Sequence, residues 1–118
     1  MDRLMFDDAD LKPDHGIYIG RWERQYPGLA GMPFGAMWFE VPAGGESALD
    51  CHPEFELAVV VDGTATFSVN GHDSPAPAGT AILLRPGEKH VVKAAAGRPA
   101  RILSLYWMPP PQGDTDAA

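Results

Sequence analysis

The chain has a single cysteine, Cys51, among 118 residues. One thiol permits no internal disulfide and fits a reducing cytosol, so a cytoplasmic location is expected. Long hydrophobic runs are missing too: none approaches the roughly 18–20 residues a helix needs to span a bilayer. The opening residues, Met1 to Asp8, hold neither the basic segment nor the apolar stretch of a secretory leader. Basic residues are scarce, 9 against 16 acidic ones, for a net charge of −7. They are scattered, with no Lys/Arg stripe interleaved with aromatics, which argues against nucleic acid and anionic membrane surfaces as partners. An apolar period of 3.6 is nowhere sustained, so no major helix is expected. The length allows one core and no second domain.

What the chain has in plenty is punctuation. Its 13 glycines and 12 prolines recur at the interval of short strands joined by turns. Residues 1–14 read as an acidic arm, and 15–108 as the folded unit. Pro109-Pro110-Pro111 ends the ordered unit, and residues 109–118 read as a disordered tail. Within the unit, strands are expected at 15–25, 34–41, 49–52, 55–62, 64–69, 80–84, 90–94 and 101–107. Asn70-Gly71 supplies a hairpin turn, and residues 28–33 read as a mobile flap. This is an all-β pattern with little or no helix, an antiparallel β-barrel or jelly roll that covers its edges.

Two polar clusters interrupt these strands. The run from Gly44 to Gly63 carries Asp50, His52 and Glu56 directly before the apolar stretch Leu57 to Val61. Gly79 to His90 is the second, ending on a histidine that opens another strand. Strand alternation puts residues 50 and 52 on one side and Cys51 on the other, and turns Glu56 inward with Ala58 and Val60. Imidazole and carboxylate suit zinc, iron, manganese, nickel or copper, and no cysteine cluster offers a thiolate site.

These clusters resemble the paired motifs of the cupins, specifically the small single-domain RmlC-like jelly rolls. The first cupin motif, G-x5-H-x-H-x3-E-x6-G, is met by Gly44, His52, Glu56 and Gly63, with Asp50 in place of the first histidine. The second, G-x5-P-x-G-x2-H-x3-N, is met by Gly79, Gly87 and His90. Arg85 stands at the proline position with Pro86 beside it, and Ala94 replaces the asparagine. Fifteen residues, Thr64 to Ala78, separate the two. The resemblance implies one divalent transition metal, zinc or iron foremost, with manganese or nickel as alternatives. Its expected ligands are His52, Glu56 and His90, with Asp50 as a fourth ligand or a nearby base. Many cupins use three histidines and a glutamate; a second carboxylate lowers the site's net charge and weakens the ion's Lewis acidity.

The resemblance also implies a metal-dependent enzyme acting on a small organic molecule. Dioxygenases, isomerases, cyclases, decarboxylases and zinc-dependent rearrangements in natural-product pathways all occur among similar proteins. The alternative is a non-catalytic small-molecule-binding cupin or an accessory subunit. Glu56 and Asp50 are the expected proton carriers. Tyr18, Tyr106 and Arg85 are the expected substrate contacts, the tyrosines for their amphipathic bodies and Arg85 for a substrate carboxylate. Glu54 is expected to be exposed beside Pro53, and His15 and His72 to be surface groups. Similar cupins form homodimers, and Leu4, Met5 and Phe6 of the arm are apolar surface that a small barrel does not bury alone.

Overall fold

Nine strands form two antiparallel sheets in the computed structural model, which describes residues 1–111. In chain order they are β1 (Lys12–Asp14), β2 (Ile17–Arg21), β3 (Gly35–Val41), β4 (Phe55–Asp62), β5 (Thr64–Val69), β6 (His72–Pro77), β7 (Ala81–Leu84), β8 (His90–Ala94) and β9 (Ala100–Trp107). The larger sheet has the order β1-β2-β3-β9-β4-β7, and the smaller β6-β5-β8. This is the antiparallel jelly roll that the turn rhythm implies. The helical content of the described residues is three short 3-10 turns, Asp8–Asp10, Trp22–Arg24 and Pro27–Gly31.

The core lies between the sheets because each strand alternates. On β4, Glu56, Ala58 and Val60 are buried; on β9, Ala100, Ile102 and Ser104 are; on β8, His90, Val92 and Ala94 are. Phe67 of β5 is fully enclosed, and cutting it to alanine would cost about 3–5 kcal/mol. The two sheets pack such side chains against one another, and a cavity opens where the apolar residues run out, at the Glu56 end of β4 and the His90 end of β8.

Several boundaries differ from the sequence expectation. The strand expected over 15–25 is only β2, because His15 and Gly16 both take positive φ (52° and 77°) and close a hairpin with β1. Lys12–Asp14, read as arm, therefore pairs with Ile17–Ile19 as an edge strand. Within 28–33, read as a flap, Leu29 is buried at 4% exposure in a 3-10 turn and its neighbours are exposed. A continuous strand over 49–52 is absent, replaced by single bridges, Glu46 to Lys93 and Asp50 to His90. The tail expectation falls partly on residues 112–118, outside the described residues.

The arm packs on its own barrel. The Phe6 ring lies 5.1 Å from Trp38 and under the Arg101 guanidinium, 4.7 Å from it. Gln25 holds the Met5 backbone at both ends, accepting from its N–H (2.8 Å) and donating to its carbonyl (2.7 Å). No helix among the described residues is long and apolar enough to cross a membrane.

Candidate metal centre

Four chain segments converge where the core gives out. β4 brings in Glu56 and β8 begins at His90. The irregular stretch before β4 runs alongside β8, its Asp50 exchanging both backbone hydrogen bonds with His90 at 2.9 Å. Ser47 stands in for a ladder partner, its hydroxyl accepting from the Val92 N–H at 2.9 Å. The Gly87 N–H donates to the His52 carbonyl at 3.0 Å and pins the third segment. β9 contributes Ser104, whose hydroxyl donates to Glu56 Oε2 at 2.7 Å in a fully buried position.

The backbone decides the tautomers. His52 Nδ1 faces the Glu54 carbonyl at 3.1 Å, and His90 Nδ1 faces the Glu88 carbonyl at 3.0 Å. A carbonyl only accepts, so each Nδ1 carries its hydrogen and, in the neutral ring, each Nε2 is left with a lone pair. Both Nε2 atoms point to the same oxygen, Glu56 Oε1, at 3.0 Å from His52 and 4.0 Å from His90. Three electron-rich atoms thus face one another with the ring centroids 5.0 Å apart, the arrangement a bound cation would bridge. Orientation of Nδ1–H by a carbonyl is the usual support of a metal-bound imidazole.

Asp50 joins this group. Ligand atoms of Asp50, His52 and His90 all lie within 4.8 Å of one another, slightly wider than the span set by bonds of about 2.0–2.2 Å to zinc. One Asp50 oxygen accepts the Cys51 N–H at 2.8 Å, leaving the other for an ion or a substrate. The donor set fits a first-row divalent metal. Of the sequence candidates, Asp50, His52 and His90 thus form one group, and Glu56 lies outside it but against the two histidines.

A cavity of about 170 Å³ opens in front of them, walled by Ile17, Ile19, Met37, Phe39 and Val92. Tyr106 lines it; burial first, and then Glu23, push its phenol above the usual tyrosine value, so the hydroxyl keeps its proton. Tyr18 and Arg85 do not line it. Tyr18 sits between the inward Ile17 and Ile19 of β2 and so faces out. Arg85 is exposed on the turn before β8, where its backbone N–H donates to Glu88 Oε1 at 2.6 Å. The cavity wall instead includes Arg21, His15 and Glu54. Arg21 ends β2 in the same inward phase as Ile17 and Ile19, a signal present in the sequence once β2 is correctly bounded. Glu54 serves through its carbonyl, which no side-chain pattern reveals.

Comparison with known proteins agrees with the fold. A family model described as Cupin domain matches residues 37–106. Among solved structures, a Cupin 2 conserved barrel domain protein from Salinispora arenicola is 25% identical with a TM-score of 0.81, covering 99% of this chain and 94% of its own. A protein of Photorhabdus luminescens is 24% identical with a TM-score of 0.79, covering 98% and 91%. The polyketide cyclase RemF from Streptomyces resistomycificus is 21% identical with a TM-score of 0.71, covering 94% and 82%. The last two likenesses concern the fold alone. No curated protein matches.

Proposed function

The chain belongs to the cupin domain family, and from that premise we propose a metal-dependent enzyme acting on a small organic molecule. His52, His90 and Glu56 hold a first-row divalent ion, zinc or iron foremost. The observation that carries this reading is the pair of Nε2 atoms turned on Glu56 Oε1 while both Nδ1–H groups are committed to backbone carbonyls. An ion bound there polarises a substrate oxygen.

The two carboxylates take different roles in this reading. Glu56 has one oxygen on His52 and the other on Ser104, so it is a fixed ligand. Asp50 keeps an oxygen toward the cavity and moves the substrate's proton. The apolar wall of Ile17, Ile19, Met37 and Phe39 limits water around that proton. The exposed thiol of Cys51 suits a reducing, cytoplasmic setting, and we assign the chain to a homodimer.

Elemental analysis of the purified chain tests the site. We expect one metal per chain, with strong loss in His52→Ala and in His90→Ala. Full stoichiometry in both variants would remove the assignment.

A further inference from the structure

We propose that Arg21 and Tyr106 form an anion-binding end of the cavity and that the substrate is a small monocarboxylate. The inference deepens the enzyme reading and rests on it for the substrate's far end, which faces the metal centre. Arg21 is the sole lysine or arginine on the cavity wall among the described residues. Its Nη1 donates to the Tyr106 hydroxyl at 3.4 Å. The nearest carboxylate to it, Asp14, lies 3.9 Å from Nη2, beyond hydrogen-bonding reach. Of the five N–H donors of a guanidinium, most are therefore free, and the Tyr106 O–H is free to donate beside them.

The pairing is built rather than incidental. Tyr106 is on β9 and Arg21 on β2, with β3 between them. Gly35 is the β3 residue opposite Tyr106, and a Cβ there would fall 2.2 Å from the tyrosine ring. Only a residue without a side chain lets the ring lie across β3 and bring its hydroxyl to Arg21. Charge and size then narrow the ligand. Arg21 is the one arginine on a wall that also holds Asp50, Glu54 and Glu56, with Asp14 beside it, so a dianionic phosphate is repelled more than a monoanion, and its planar fork matches a carboxylate. A cavity of about 170 Å³ has the size that admits a single benzene-like ring.

The test titrates the zinc-loaded full chain with 4-hydroxybenzoate and with its neutral counterpart 4-hydroxybenzamide, followed by NMR, with metal content measured in parallel. The wild type should favour the acid. Arg21→Gln should weaken the acid about 10- to 100-fold, the range of a charge-assisted pair, with the amide and the metal content unchanged. Gly35→Ala should weaken the acid as well by displacing Tyr106, and Arg21→Lys should recover part of the preference. No preference for the acid in the wild type, or an equal preference in Arg21→Gln, overturns the proposal. A wild-type chain that takes up no zinc yet favours the acid through Arg21 overturns the metal reading and leaves this one standing.

Discussion

In the proposed enzyme, Asp50 is the residue on which the chemistry turns, because it stands where a third histidine is expected and has one oxygen uncommitted. The Cys51 N–H fixes the other oxygen, so the carboxylate has a defined direction instead of a solvated one. If it moves the substrate's proton without carrying the ion, Asp50→Ala should keep its metal and lose turnover by about 100- to 10,000-fold. If it is a ligand, the same variant should lose metal, and Asp50→His should restore or tighten binding. Elemental analysis beside a turnover assay separates these outcomes, and a variant normal in both respects excludes either role. The residues of the proposed site were legible in the sequence as a motif, since His52, Glu56 and His90 stand at fixed distances from glycines. Gly44, Gly63, Gly79 and Gly87 all have positive φ, 69°, 75°, 93° and 80°, so the motif spacing encodes where the backbone must turn. Arg21 was legible only as an inward position once β2 is bounded; its proposed pairing was not, because Gly35 and Tyr106 lie on two other strands.

Strands β3, β4, β5, β8 and β9 were readable from β-branched and aromatic alternation, while β1 and β6 were not. β6 reads His-Asp-Ser-Pro-Ala-Pro, and its two prolines are tolerated because it lies at the edge of the smaller sheet. β1 hides in an acidic stretch that reads as solvated tail. The arm before it is held by contacts between distant residues, which local patterning does not register. Arg101 on β9 donates to Glu40 at 2.9 Å and to Asp8 at 2.6 Å. Burial alone would lower its pKa, but hydrogen bonding and attraction from Glu40 and Asp8 outweigh that and raise it, so the cation persists at every working pH. Glu40 is 20% exposed and Asp8 74%, which ranks the two partners. Arg101→Ala should lower the unfolding free energy by about 2 kcal/mol, one charged hydrogen bond plus the cation–π contact with Phe6. Asp8→Ala should cost less than about 1 kcal/mol, as an exposed pair does. Urea titration of the three proteins checks the order; an Asp8 effect as large as that of Arg101 would mean the arm is held chiefly by its charge.

At the scale of the whole molecule, the larger sheet is apolar on its outer face where β4, β7 and the end of β9 meet. An antiparallel sheet with one solvated face normally alternates apolar and polar residues, yet β4 runs Leu57-Ala58-Val59-Val60-Val61 without a polar position. Its outward residues pair across strands with others of their kind: Leu57 with Leu105 and Leu83, Val59 with Leu103, and Phe55 with Trp107 in a stacked contact. Val61, Leu83, Phe34 and Met108 are 45%, 42%, 41% and 59% exposed. The arm packs elsewhere, with Phe6 against Trp38 and Arg101 and the Met5 backbone on Gln25. The apolar outer face is a patch each copy can present to the same patch on a second copy. We expect light scattering to give twice the 12.7 kDa chain mass. Leu83→Glu removes a leucine that is 42% exposed from the face of each copy and sets two carboxylates there, about 3 kcal/mol in total, and should raise the dimer dissociation constant roughly 100-fold. An unchanged thermal transition extrapolated to high dilution would tie that loss to the interface and not to the barrel. A wild-type mass of 12.7 kDa at micromolar concentration would instead mean that this face stays bare in solution.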